Sequence, residues 1–260
     1  MLSLWIAKTG LDGQNTRLGV ISNNLANSST TGYKRSRAVF NDLLYQNLRQ
    51  VGAQSSQSTE IPTGMYLGTG VRVVGTQKIH QQGNLLNTGN SLDMAIQGRG
   101  FLQILQPDGS ISYTRDGSLQ LDSTGQIVNI NGFVLQPAIT IPNDAVSVTI
   151  GNDGTVSVLQ PASTTPTQVG TIQLADFVNP TGLEPVGDNM FRQSVASGTA
   201  TTSNPGLNGF GTVIQGSLET SNVNVVEELV SMIETQRAYE MNAKAIETAD
   251  QMLAYLTQTL

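Results

Sequence analysis

The single histidine, His80 in KIHQQGN, has neither a second histidine nor any cysteine with which to bind zinc or run a proton relay. An isolated histidine of this kind reads as a packed structural residue. Three carboxylates, Asp108, Asp116 and Asp122, stand at or beside glycine turns, where aspartate is favoured because it bonds its own backbone. Brought together by folding they would make an acid cluster for hydrolysis, but turn chemistry accounts for them without it. The glycine clusters GTGVRV at Gly68 and GRGFLQ at Gly98 lack the third glycine of a dinucleotide loop, and neither a phosphate loop nor a nucleophile elbow occurs. The residues therefore nominate no catalytic group, no cofactor-binding group and no metal ligand, and the chain reads as not an enzyme. The one basic cluster, Lys34, Arg35 and Arg37, reads as a solvated turn, with pairing to Glu227, Glu228 or Glu234 of a neighbouring copy as the alternative.

Composition narrows the partners. Charged residues make up only 12% of the 260, so much of the surface is neutral and polar, which suits packing against other copies because desolvated charges need partners. A net charge of -6 argues against nucleic acid, which calls for a dense Lys/Arg face. No run of eighteen apolar residues is present, so no transmembrane segment is expected. Lys8 and Asp12 interrupt the N-terminal apolar stretch before it reaches the length of a secretory signal, so any export is expected to proceed without a cleaved one.

The elements that must position these residues fall into two kinds. Leu4, Ala7, Leu11, Gln14, Leu18, Ile21 and Leu25 alternate spacings of three and four, which predicts a helix with one apolar seam. Gly10, Gly13 and Gly19 weaken it, each by roughly 0.5 to 1 kcal/mol relative to alanine. At the other end, Val225, Leu229, Met232, Gln236, Tyr239, Ala243, Ile246, Asp250, Leu253, Thr257 and Leu260 keep the same alternation, opened by Asn224 as a cap with Glu227 three residues on. Two such seams at opposite chain ends predict a helical pair formed by the termini and ordered on association, or else an ordinary intramolecular hairpin.

Between the helices the period changes to two. Val146, Val148 and Ile150 turn through Gly151 to Gly154 into Val156 and Val158; Phe101 to Leu105 turns at Pro107 to Gly109; Leu119 and Leu121 turn at Ser123 to Gly125 into Ile127 to Ile130, which turns at Asn131 and Gly132. Such units predict a sandwich or barrel-like β domain. Gly52 to Thr63 and Ala196 to Gly211 read as exposed linkers. The expected fold is mixed α and β, with paired N- and C-terminal coiled-coil-like helices flanking an all-β middle domain. The expected division is an N-terminal helix in 1–32, an extended connecting segment in 33–75, a β-rich domain in 76–220 and a C-terminal helix in 221–260.

The segment SNNLANSSTTGYKRSRAVFNDLLYQ closely resembles the hallmark of flagellar basal-body rod and hook proteins, whose motif positions are filled by Asn23, Asn24, Leu25, Ala26, Asn27, Thr31, Gly32, Tyr33 and Lys34. Asn27 is suited to end the helix in a left-handed conformation, and Gly32 to permit the reversal after it. SNVNVVEELVSMIETQRAYEMNAKAI resembles the family's C-terminal motif and YTRDGSLQLDSTGQIVNINGFVLQ its β-domain motif. The likeness is closest to the distal-rod members, with proximal rod and hook-like axial subunits next. The resemblance implies a homopolymer, a helical tube with paired terminal helices on its inner wall and β domains outside, spanning the periplasm and transmitting torque. It also implies proximal rod proteins, hook protein, the surrounding L and P ring proteins, a rod cap and the flagellar type III export apparatus as partners, and no cofactor.

Overall fold

The computed structural model describes residues 2–52, 54–56, 59–60, 62–161 and 165–258. Among the described residues the two α-helices are α1, Leu2–Ala26, and α2, Val225–Gln258; the latter's 34 residues extend about 50 Å. Asn224 starts α2 as expected: its Oδ1 accepts the N–H of Val226 at 3.1 Å, and its carbonyl accepts the N–H of Glu228 at 3.0 Å. Leu260 lies outside the described residues.

The chain divides into two compact units. The first holds both helices together with residues 36–77. Those residues, expected as an extended connection, form a ribbon of successive strand pairs: Ser36–Asp42 with Val71–Lys78, Gln46–Arg49 with Met65–Leu67, and Gln54–Ser56 with Thr59–Glu60. The expected linker from Gly52 to Thr63 therefore contains paired strands; its residues 53, 57, 58 and 61 lie outside the described residues. Its many Ser and Gln side chains give no period-two apolar signal, and main-chain hydrogen bonds pair the strands regardless. At the base of the ribbon, Phe40 and Val71 approach Gly13 of α1, and the N–H of Val71 donates to Thr9 Oγ1 at 3.3 Å.

The second unit holds residues 27–35 and 78–223. Strand Phe101–Leu105 is its centre, paired antiparallel with Ile111–Thr114 on one side and with both Val134–Gln136 and Leu174–Asp176 on the other. The hairpins anticipated at Asp108–Gly109, Thr124–Gly125, Asn131–Gly132 and Asp153–Gly154 all form. Alternation along the central strand divides the core. Leu102 and Ile104 join the large cluster with Leu135, Ile172, Leu174 and Val213, whereas Phe101 joins Tyr113, Phe177 and Phe191 in a smaller aromatic one. Ala196 to Gly211 is not simply a linker, because Thr201–Ser203 pairs antiparallel with Leu174–Asp176. Hydroxyl-bearing β-branched residues extend that edge without the apolar pattern that reveals a strand in sequence.

Candidate functional site

Folding gathers the motif residues into two polar locks, one in each unit. In the first, Asn24 is almost wholly buried; its Nδ2 donates to Ser36 O at 2.8 Å and to Glu228 Oε1 at 3.2 Å, while the N–H of Ser36 donates to Asn24 Oδ1 at 2.9 Å. One amide thus fixes both where α1 turns into the ribbon and where α2 lies beside α1. Asn23 and Ala26 are exposed and Leu25 is half-buried.

The second lock corrects the solvated-turn reading of Lys34. Its side chain is 0% exposed, and its Nζ donates to Glu219 Oε1 at 2.5 Å and to Gln81 O at 2.8 Å. Arg115 shares the carboxylate through Nη1 to Oε2 at 3.3 Å and donates from Nη2 to Gly98 O at 2.7 Å, and the N–H of Gly83 donates to Glu219 Oε1 at 2.8 Å. Burial pushes the Lys34 ammonium below its ordinary pKa, and Glu219 opposes that shift; burial likewise lowers Arg115, with Glu219 opposing. Neither Arg115 nor Glu219 stood out in the sequence, since nothing in a lone arginine or glutamate announces a partner more than a hundred residues away.

The motif's turn closes around this knot. Gly32 has φ 66°, and its N–H donates to Glu219 O at 2.8 Å. Thr31 Oγ1 donates to Asp116 Oδ1 at 3.1 Å, and Thr31 O accepts Asn189 Nδ2 at 2.9 Å. Tyr33 is buried beneath the Lys78 ammonium, 4.8 Å from the ring centre. Asn27 is not left-handed as expected: α1 stops at Ala26, the carbonyl of Asn27 accepts the N–H of Thr30 at 3.3 Å, and positive φ is deferred to Gly32. The chain leaves the helix through this turn without the αL strain that a non-glycine residue would carry.

The candidate chemical groups are all employed in structure. Asp108 accepts the N–H and Oγ–H of Ser110, Asp116 those of Ser118, and Asp122 the N–H of Ser123 and Oγ1–H of Thr124, so each carboxylate holds its own turn. His80 packs edge-on against Phe101 and Phe191, with centroids 5.7 and 5.4 Å away. Burial first, then the charges of Lys34, Arg115 and Lys78, bring its pKa down from 6.5 to about 4. Between those values the unfolded chain binds the proton that the folded one refuses, so His80 contributes stability that is complete above pH 6.5 and gone below about 4. Urea unfolding across that window is expected to lose at most about 3 kcal/mol relative to a His80→Gln chain measured in parallel. Equal pH slopes for the two chains would contradict the assignment.

The expected seam is placed less simply. On α1, Ile21 is buried and Leu4, Ala7, Leu11, Leu18 and Leu25 are half-buried. On α2 the buried and half-buried residues are Glu228, Ser231, Met232, Thr235, Ala238, Asn242, Ile246 and Ala249, mostly small or polar, and the backbone lies close to α1: a Cβ on Gly10 would sit 3.1 Å from Asn242 Nδ2. Val225, Leu229, Tyr239, Ala243 and Leu253 are exposed, with Met232 and Ile246 half-buried. Val226, Val230, Ile233, Met241, Met252 and Tyr255 form further exposed apolar surface on α2 that the heptad reading passed over. Leu44, Tyr45, Leu48, Met65 and Tyr66 are likewise exposed on the ribbon. Apolar exposure on this scale marks surfaces that meet other molecules. Among the described residues no cluster of His, Asp or Glu could hold a metal ion, and no helix is long and apolar enough to cross a membrane.

Comparison with known proteins agrees along the whole chain. Residues 4–34 match the family described as flagella basal body rod protein, residues 95–158 the flagellar hook protein FlgE/F/G D1 domain, and residues 214–259 the flagellar basal body rod FlgEFG protein C-terminal region. The flagellar basal-body rod protein FlgG of Buchnera aphidicola subsp. Schizaphis graminum is 56% identical over 256 residues, covering 98% of each chain. Its counterpart in Caulobacter vibrioides is 47% identical over 259 residues with 99% of each chain covered, and that of Bacillus subtilis is 38% identical over 264 with 98% of this chain and 97% of its own. With family matches over residues 4–34, 95–158 and 214–259 and relatives that align over nearly its full length, the chain belongs to the flagellar basal-body rod protein family.

Proposed function

We propose that the chain is a structural subunit of the distal rod, polymerising into a rigid helical tube that carries torque from motor to hook. The observation that carries this reading is the inversion of α2. Its buried and half-buried residues are mostly small or polar, with Met232 and Ile246 the larger apolar exceptions, while Val225, Leu229, Tyr239 and Leu253 keep about two-fifths of their surface exposed. Complete burial of an exposed side chain of this size contributes roughly 1.5 to 3 kcal/mol, so the exposed two-fifths of each leaves roughly 1 kcal/mol per side chain for repeated copies to use. Leu4, Ala7, Leu11, Leu18, Ile21 and Leu25 on α1, with Met232, Ala243 and Ile246 on α2, complete the proposed self-assembly seam. A contact that joins different surfaces of successive copies extends without closing, as a filament requires. In this reading the neighbours along the axis are proximal rod proteins and hook protein, the L and P ring proteins surround it, and a rod cap and the type III export apparatus deliver subunits to the periplasm.

Purified chain is expected to form tubes visible by electron microscopy. A chain lacking Leu253–Leu260 is expected to stay a soluble monomer with an unchanged β unit. Tubes from the truncated chain at the same concentration would remove α2 from the account.

A further inference from the structure

The dipeptide Asn-Gly occurs twice, at Asn131–Gly132 and at Asn208–Gly209. An asparagine in this setting is open to attack by the next main-chain nitrogen, because glycine places no side chain in the way. Both asparagines are exposed at turns of the β unit, so dipeptide sequence and solvent access treat them alike. Only the hydrogen bonding around them separates the two.

At the first site the attacking nitrogen is occupied. The N–H of Gly132 donates to Asn129 O at 2.9 Å, and Asn129 Oδ1 accepts the N–H of Asn131 at 3.1 Å and that of Phe133 at 2.9 Å. The Gly132 nitrogen reaches Asn131 Cγ only after that turn gives up a bond. At the second site Phe210 closes the turn, its N–H donating to Leu207 O at 2.9 Å. The residues between, Asn208 at φ 53° and Gly209 at φ 81°, have the two positive angles of a type I′ turn. Among the described residues nothing accepts the N–H of Gly209. Asn208 also carries left-handed strain that opening of the turn relieves. Its Nδ2 donates to Ser203 Oγ at 3.3 Å, which leaves the serine hydroxyl proton close to the amide nitrogen.

We propose that Asn208 is a site of spontaneous modification, at which the Gly209 nitrogen closes on the Asn208 side chain and converts it through a succinimide to aspartate and isoaspartate. Hydroxide takes the proton of the Gly209 N–H, and the nitrogen bonds to Asn208 Cγ. The Cγ–Nδ2 bond then breaks, and the departing nitrogen leaves as ammonia with a proton from Ser203, which recovers one from solvent. Water opens the cyclic imide in either of two ways. Cleavage between Cγ and the Gly209 nitrogen gives aspartate; cleavage between that nitrogen and the main-chain carbonyl carbon gives isoaspartate, whose main chain runs through the former side chain. Either product adds one negative charge to a chain whose formal net charge is already -6. Isoaspartate also lengthens the main chain inside the turn that seats Phe210, a ring packed against the large apolar cluster.

The test incubates the intact chain in mildly alkaline buffer, digests samples over time and weighs the peptides. Asn208 is expected to deamidate at least about fivefold faster than Asn131, the factor that one net hydrogen bond represents. Its peptide is expected to accept a methyl group from S-adenosylmethionine in the presence of an isoaspartate methyltransferase. In urea, where neither turn persists, the two rates are expected to converge. Equal rates in the folded chain, or a faster Asn131, would overturn the proposal. A preference for Asn208 that persists unchanged in urea would overturn it too, because it would then belong to the neighbouring residues and not to the fold. Ser203→Ala is expected to slow Asn208 and leave Asn131 as it is; an unchanged rate at Asn208 would overturn the serine's part.

Discussion

Replacing Glu219 with alanine is expected to cost the β unit about 3 to 5 kcal/mol, the loss typical of breaking a buried ion pair from one side. The carboxylate is 0% exposed and is shared by Lys34 and Arg115, so its removal leaves two cations in a site that water does not reach. It also strips an acceptor from the N–H of Gly83. Against a total stability of about 5 to 15 kcal/mol, such a loss leaves a marginal domain. Glu219→Gln keeps the shape and one acceptor but not the charge, and should fall between wild type and alanine. Urea midpoints followed by far-UV circular dichroism and amide exchange of strand Phe101–Leu105 measure the effect. A Glu219→Ala chain within 1 kcal/mol of wild type, roughly the scale of an exposed pair, would show that the knot is open to solvent.

The second large effect is expected at Gly32. An alanine there takes a left-handed conformation at φ 66°, costing about 1 to 2 kcal/mol, and its Cβ would stand 2.6 Å from the Asp116 nitrogen, a backbone atom that cannot rotate away. Overpacking of this kind adds about 1 to 3 kcal/mol. Gly19 in α1 provides the contrast, because a Cβ there meets nothing within 4 Å. Gly19→Ala is therefore expected to stabilise α1 by roughly 0.5 to 1 kcal/mol through helix propensity. Thermal unfolding should move in opposite directions for the two variants. A Gly32→Ala chain that melts with wild type would mean that the turn relaxes freely and does not hold the motif.

These two glycines also show how far local reasoning reaches. Spacing alone locates Gly32 at a reversal and Gly19 inside a helix, but the clash at Asp116 depends on a segment more than eighty residues away. The same limit explains the α2 seam. A heptad pattern reports which residues are apolar, and the usual inference is that they face the partner helix. Here Asn24, Asn242 and the small residues of α2 allow close approach on the other face, so much of the apolar pattern remains exposed. The linker at Ala196 to Gly211 misleads for a related reason, since Thr201–Ser203 is held at a sheet edge by main-chain bonds that side-chain chemistry does not foreshadow.

Short-range chemistry settles much of this molecule in advance: Asn224 caps α2 through its own side chain, and aspartate–glycine pairs turn the hairpins at Asp108 and Asp153 because the bonds involved span only a few residues. Helix extents and the alternation that splits the β core follow from the same local periods. Tertiary packing alone decides that Lys34 is a buried ion, that Arg115 and Glu219 belong with it, and that α2 turns mostly small and polar residues inward and much of its apolar surface outward. Those outcomes hang on desolvation and on meetings between distant segments. A charge becomes a structural element only when the fold removes its water and supplies its counter-charge.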